Sequence, residues 1–169
     1  MFEPREIPKE ILINGIIDSL DHLYAEDIYL ISNKPFTHKE NQSEQGLIFR
    51  FGIYLQDYIR KETFLNGYHL DLEYNRVADA KKTQSSFKNG TYPDLIIHTR
   101  GNNDCNLLVI ECTTWWDSDV YLKQQDILRI KELTQQSSKY HFALGAYIAF
   151  EKNRSIQKWF INGKEINSI

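Results

Sequence analysis

Three carboxylates in this chain are spaced for chemistry. Asp94 opens the β-rich run Tyr92-Pro93-Asp94-Leu95-Ile96-Ile97-His98, and Glu111 sits near the end of a second, Asn106-Leu107-Leu108-Val109-Ile110-Glu111-Cys112-Thr113. Between them, Arg100-Gly101-Asn102-Asn103-Asp104 is a strong turn signal. A hairpin centred on Asn102-Asn103 sets Asp94 opposite Glu111, Ile96 opposite Val109 and Ile97 opposite Leu108. Directly opposed side chains share a face about 5 Å apart, where like charges repel. Such a pair calls for a divalent cation or for a proton held on one acid. The plainer reading is a turn Asp and a strand-end Glu that never meet, since a one-residue slip puts them on opposite faces. Glu44 is a third candidate. Leu47, Ile48 and Phe51 follow it at helical spacing and form the apolar stripe of its helix, so Glu44 faces inward from the first turn. The plainer account of that placement is the helix dipole. Three carboxylates converging on one sheet edge would make a hard, oxygen-only site that suits Mg²⁺ or Mn²⁺ better than zinc.

The elements that must hold these residues are legible from periodicity. Pro8 suits a first helical turn, and Leu12, Ile13, Ile16, Ile17, Leu20 and Leu23 extend a helix over about 7–24. The segment 25–42, with Pro35, reads as a connection. A second helix is expected over 43–65, with a buried stripe of Leu47, Ile48, Phe51, Leu55, Tyr58 and Ile59. Residues 68–75 alternate as a strand, and 76–90 is a polar, basic loop. After the hairpin, 117–136 reads as a helix that Asp117 or Ser118 could cap. Residues 141–150 are nearly all apolar, as in a strand buried on both faces. The Asn162-Gly163 turn closes a C-terminal β-ribbon within 155–168. The expected fold is α/β, a central mixed β-sheet flanked by helices on both faces. The unit 106–150 should contain a locally parallel strand pair.

At 169 residues with 41% hydrophobic content, one domain over 1–169 with a substantial core is expected, its central part spanning 43–150. The net charge of −3 gives no overall field to attract nucleic acid or an anionic membrane, so a polyanion would need a local patch. No apolar run approaches a membrane span, and the N-terminus lacks signal-peptide order. The two cysteines, Cys105 and Cys112, have no partners at zinc spacing and read as free thiols of a reducing cytoplasm.

Taken together, Pro93-Asp94, the apolar strand ending in Glu111-Cys112-Thr113 and the helical Glu44 resemble the PD-(D/E)XK nuclease superfamily, in particular its small bacterial members. The resemblance covers about 44–150 and matches the order of a helical Glu, two acidic strands, a helix and a strand. Glu44-Gln45-Gly46-Leu47-Ile48-Phe49-Arg50-Phe51-Gly52-Ile53-Tyr54-Leu55 and Leu72-Glu73-Tyr74-Asn75-Arg76 add to it. It implies a restriction-endonuclease-like core and hydrolysis of phosphodiester bonds in DNA or RNA. Asp94, Glu111 and the Cys112 carbonyl would ligate Mg²⁺ or Mn²⁺, with Glu44 assisting. The motif lysine, two positions after the second acid, is replaced here by Thr113. A cation from the following helix could replace it. Projection at 100° per residue puts Lys123, Gln124 and Lys131 on the side of Val120 and Ile127, with Arg129 pointing away. Lys131 lies about 12 Å farther along the helix, so Lys123 is the candidate, although a lysine there could equally snorkel to water. Lys81, Lys82, Lys88 and Arg100, with Arg76, could contact phosphates or simply be solvated. Trp115 and Trp116 could stack on bases or cover the sheet edge, and His98 reads as structural. The alternative function is a catalytically degenerate module that binds nucleic acid or a protein. A second copy of the chain is also a candidate partner.

Overall fold

The computed structural model of the chain describes residues 7–32, 43–74, 92–101, 103 and 105–167. Four α-helices, α1 (Lys9–Glu26), α2 (Ile28–Ile31), α3 (Glu44–Lys61) and α4 (Val120–Thr134), accompany six strands. The strands are β1 (His69–Leu72), β2 (Leu95–His98), β3 (Asn106–Thr114), β4 (Leu144–Phe150), β5 (Ser155–Ile161) and β6 (Lys164–Ile166). They form one mixed sheet in the order β1-β2-β3-β4-β5-β6, antiparallel except for the parallel pair β3–β4, which α4 connects.

Strand alternation divides the apolar residues between two faces. Leu95, Ile97, Leu108 and Ile110 pack with the stripes of α1 and α3, including Leu12, Ile16, Leu47, Phe51 and Leu55. Ile96 and Val109 point the other way, against Ile130 and Leu133 of α4. The sheet is therefore central and covered on both sides, as expected for the α/β class. The acids of interest lie where the two halves meet, at the C-terminal end of β3.

Several boundaries differ from the sequence expectation. The 25–42 segment contains a short helix, α2, and β1 stops at Leu72. The C-terminal ribbon is not an appendage. β5 pairs with β4 over six positions, Gly145↔Phe160 to Phe150↔Ser155, so the ribbon extends the main sheet. Its turn uses the expected residues, with Asn162 at φ 50° and Gly163 at φ 74°, the left-handed pair that a tight hairpin needs.

Gly145 on β4 lets α4 approach the sheet. A Cβ built there would lie 2.3 Å from Ile130 Cγ2 and 2.9 Å from Thr134 Cγ2. Gly145→Ala is therefore expected to destabilise the fold by about 1–3 kcal/mol, as overpacking does. Urea denaturation measures this directly, and an unchanged midpoint would mean that α4 packs less tightly.

Candidate active site at the end of the third strand

The β2–β3 ladder has the expected register: Leu95↔Ile110, Ile96↔Val109 and Ile97↔Leu108 are partners, with an irregularity at His98↔Asn106. Asp94 itself sits in a bend one residue before β2. Its carboxylate turns onto the β3 backbone, where Oδ2 accepts the Cys112 N–H at 2.7 Å. A side chain thus occupies a ladder position that a strand carbonyl would otherwise fill. Glu44 stands in the first turn of α3, capped by Ser43, whose hydroxyl accepts the Gly46 N–H. Glu44 Oε2 accepts a hydrogen bond from the Thr114 hydroxyl at 3.2 Å. The three acids thus address neighbouring positions near the end of β3: Glu111 by residence, Asp94 through Cys112 and Glu44 through Thr114.

Glu111 is fully buried, and its partner is Arg129 of α4, with Nη1 2.8 Å from Oε1. The contact is a charge pair rather than a well-aligned hydrogen bond. Arg129 Nη1 also lies 3.2 Å from Asp126 Oδ1. This corrects the helical projection, which had Arg129 pointing away and Val120 facing the sheet. Val120 is 65% exposed and Gln124 is exposed. The packed residues are Ile130, Leu133 and Thr134. That rotates the helix so that Arg129, on the flank, reaches Glu111. Lys123 is partly buried near the same end, and its charge acts on Glu44. Thr113, at the motif lysine position, is buried and neutral.

The electrostatics reflect an excess of buried negative charge. Burial pushes Asp94 up to about 7, reinforced by Asp126 and Glu44 and opposed by the Cys112 N–H and Arg129. Burial, then the charge of Asp94, holds Glu111 well above the ordinary carboxylate range against the pull of Arg129. Burial also raises Glu44 and Asp126. Arg129 stays above its usual value. Burial alone would lower it, but Glu111, Asp126 and Asp94 outweigh that effect. The Cys112 thiol is driven up by burial, so it is neutral and contributes to the site through its backbone.

A groove of about 380 Å³ opens beside these residues, lined by Glu44, Gln45, Ile48, Phe49, Leu72, Glu73 and Asp94. Glu73 was not singled out by spacing. Its backbone is left-handed, at φ 46°, and its N–H donates to the Asp94 carbonyl at 3.1 Å. In type, the donors fit a hard divalent cation: carboxylate oxygens and the Cys112 carbonyl, with excess negative charge to offset. In position, no three His, Cys, Asp or Glu side chains among the described residues converge closely enough to hold a metal ion as they stand.

The other candidates lie elsewhere. Lys81, Lys82 and Lys88, with the rest of 76–90, fall outside the described residues. Arg100 follows the end of β2 remote from Asp94 and is engaged by Asp71, with Nε to Oδ2 at 2.9 Å and a second contact from Nη2 to Oδ1. Asp71 also bonds the buried His98 at 2.9 Å, which makes His98 structural. For Asp71, the bonds from Arg100 and His98 outweigh burial and hold its carboxyl below the usual range. Trp115 donates its indole N–H to the Ile31 carbonyl and packs edge-on against Trp116, so both contribute to the core margin.

Compared with protein-family models, curated proteins and solved structures, the chain matches none. No helix among the described residues is long and apolar enough to cross a membrane.

Proposed function

We propose that this protein is a divalent-metal-dependent phosphodiesterase of the PD-(D/E)XK nuclease type, acting on DNA or RNA. One observation carries this reading: Glu44, Asp94 and Glu111 all address the 111–114 end of β3, with the guanidinium of Arg129 alongside. Asp94, Glu111, the Cys112 carbonyl and Glu44 would hold Mg²⁺ or Mn²⁺. Bound there, the ion would supply positive charge at a phosphate oxygen and lower the pKa of an attacking water.

The chain's own residues divide the remaining work. The Cys112 N–H fixes the rotamer of Asp94, and the Thr114 hydroxyl orients Glu44. Arg129 supplies the fixed cation that Thr113 does not, and its charge favours the ionised form of Glu111 against the effect of burial. Lys123 adds charge on the Glu44 side. Lys81, Lys82 and Lys88 are the candidate phosphate contacts, and the nucleic acid is the proposed partner.

A second reading, a nuclease fold that binds without cleaving, is favoured by a specific observation. Each of the three acids already has a protein partner, and Arg129 neutralises the most buried one. Incubating the purified chain with single- and double-stranded DNA and RNA in Mg²⁺ or Mn²⁺ separates the two. Metal-dependent cleavage, suppressed by chelation, is the expected result. Salt-sensitive binding without cleavage in either metal would leave the binding module.

A further inference from the structure

Among the described residues, the groove beside Asp94 is lined by three acids, one amide and apolar side chains, with no lysine or arginine. Phosphate would be repelled from such a lining. An uncharged flat group would not. Phe49 and Leu72, which border the groove, are 57% and 43% exposed, so both offer apolar surface to it. Ile48 adds an apolar surface from the next turn side of α3, and Gln45 offers one amide donor set and one acceptor to a polar edge. The volume falls within the range of small-molecule sites. Glu44 and Asp94 border this groove and also belong to the candidate reaction centre, so a group seated here lies next to whatever is held at the end of β3.

We infer that the groove receives an unpaired nucleobase, stacked on Phe49 and Leu72, and that the substrate is therefore single-stranded or locally unpaired nucleic acid. This inference rests on the phosphodiesterase reading for its occupant. The base enters the groove while its neighbouring phosphate stays outside it, at the end of β3, where a divalent cation held by Asp94 and Glu44 would offset their charge. A base inside a duplex has no free face to offer Phe49 and cannot enter. Stacking on an aromatic ring is tolerant of base identity, so the preference is for strandedness, with Gln45 able to add a modest bias.

The test compares the unaltered chain with Phe49→Ala, Leu72→Ala and Gln45→Ala. Fluorescence anisotropy in Mg²⁺ would use a labelled single-stranded oligonucleotide and its duplex, and cleavage would be followed in parallel as separate KM and kcat. Phe49 is largely exposed, so its truncation removes little core, and circular dichroism verifies the fold. Phe49→Ala is expected to weaken single-strand binding about tenfold or more and to raise KM, with duplex binding unchanged. Equal affinity for both forms, or Phe49→Ala and Leu72→Ala that bind single strands like the parent, would overturn the inference. If the chain cleaves duplex regardless of Phe49, the groove assignment fails and the phosphodiesterase reading stands. If Phe49→Ala loses single-strand binding but no substrate is cleaved, the groove assignment stands and the phosphodiesterase reading fails.

Discussion

Asp94→Asn is expected to abolish metal-dependent cleavage and, without added metal at pH 8, to raise thermal stability. The amide keeps an oxygen that can accept the Cys112 N–H, so the bend before β2 survives while the ligand charge is lost. The stability gain follows from linkage. The Asp94 carboxyl is held at about 7 against an ordinary value of 3.8. Between those values the folded state retains a proton that the unfolded chain has released. Stability that is fully present below about pH 4 is therefore lost as pH rises to about 7, a change on the order of 4 kcal/mol. Asn carries no such penalty. Asp71, held below the usual range, acts in the opposite sense, and its contribution is lost only as pH falls. In the parent chain, Mn²⁺ should raise Tm more at pH 8 than at pH 5, because it meets an ionised site only at the higher pH. Differential scanning calorimetry across this range, with Asp94→Asn as control, measures both effects. A Tm of Asp94→Asn below that of the parent at pH 8 would contradict the electrostatic account.

Arg129→Ala is expected to destabilise the fold by about 3 kcal/mol or more at pH 8. The substitution leaves Glu111 fully buried with its cation removed. Glu111 already binds its proton more tightly than an ordinary carboxyl, and losing Arg129 strengthens that tendency. Its penalty thus grows as pH rises and shrinks as pH falls and the carboxyl takes up its proton. The double variant Glu111→Gln with Arg129→Met removes both charges and should recover most of the loss. Urea unfolding at pH 5 and pH 8 distinguishes this from simple loss of packing, which would be equal at both pH values and would not be rescued. In the cleavage assay the same Arg129→Ala substitution should cost about 10²-fold or more in kcat, as the loss of one preorganised charge donor does.

The sequence carried the hairpin clearly because two independent signals agreed, a Gly/Asn-rich turn and two strongly apolar runs. Their register is the expected one at Leu95↔Ile110, Ile96↔Val109 and Ile97↔Leu108. Glu44 was legible because its helix has a single well-formed stripe. Arg129 was not, and the reason is physical. Val120, Tyr121 and Leu122 are apolar yet exposed, so they pulled the apparent apolar face of α4 away from the true one. Ile130 and Leu133, one turn apart, were the better anchor. A second signal was available: a glutamate in an otherwise apolar strand needs a cation, and Arg129 is the long guanidinium on the connecting helix. Nor does periodicity tell a strand from the bend just before it, which is where Asp94 lies.

The sequential strand order leaves β1 and β6 at the two ends of the sheet, with four and three residues. Both carry charge, Asp71 on one and Lys164 and Glu165 on the other. Short, charged borders are poor templates for continuing a sheet into another molecule, and they disfavour edge-to-edge self-association. A second copy of this chain, if it associates, would therefore meet the first through a helical surface and not by strand addition.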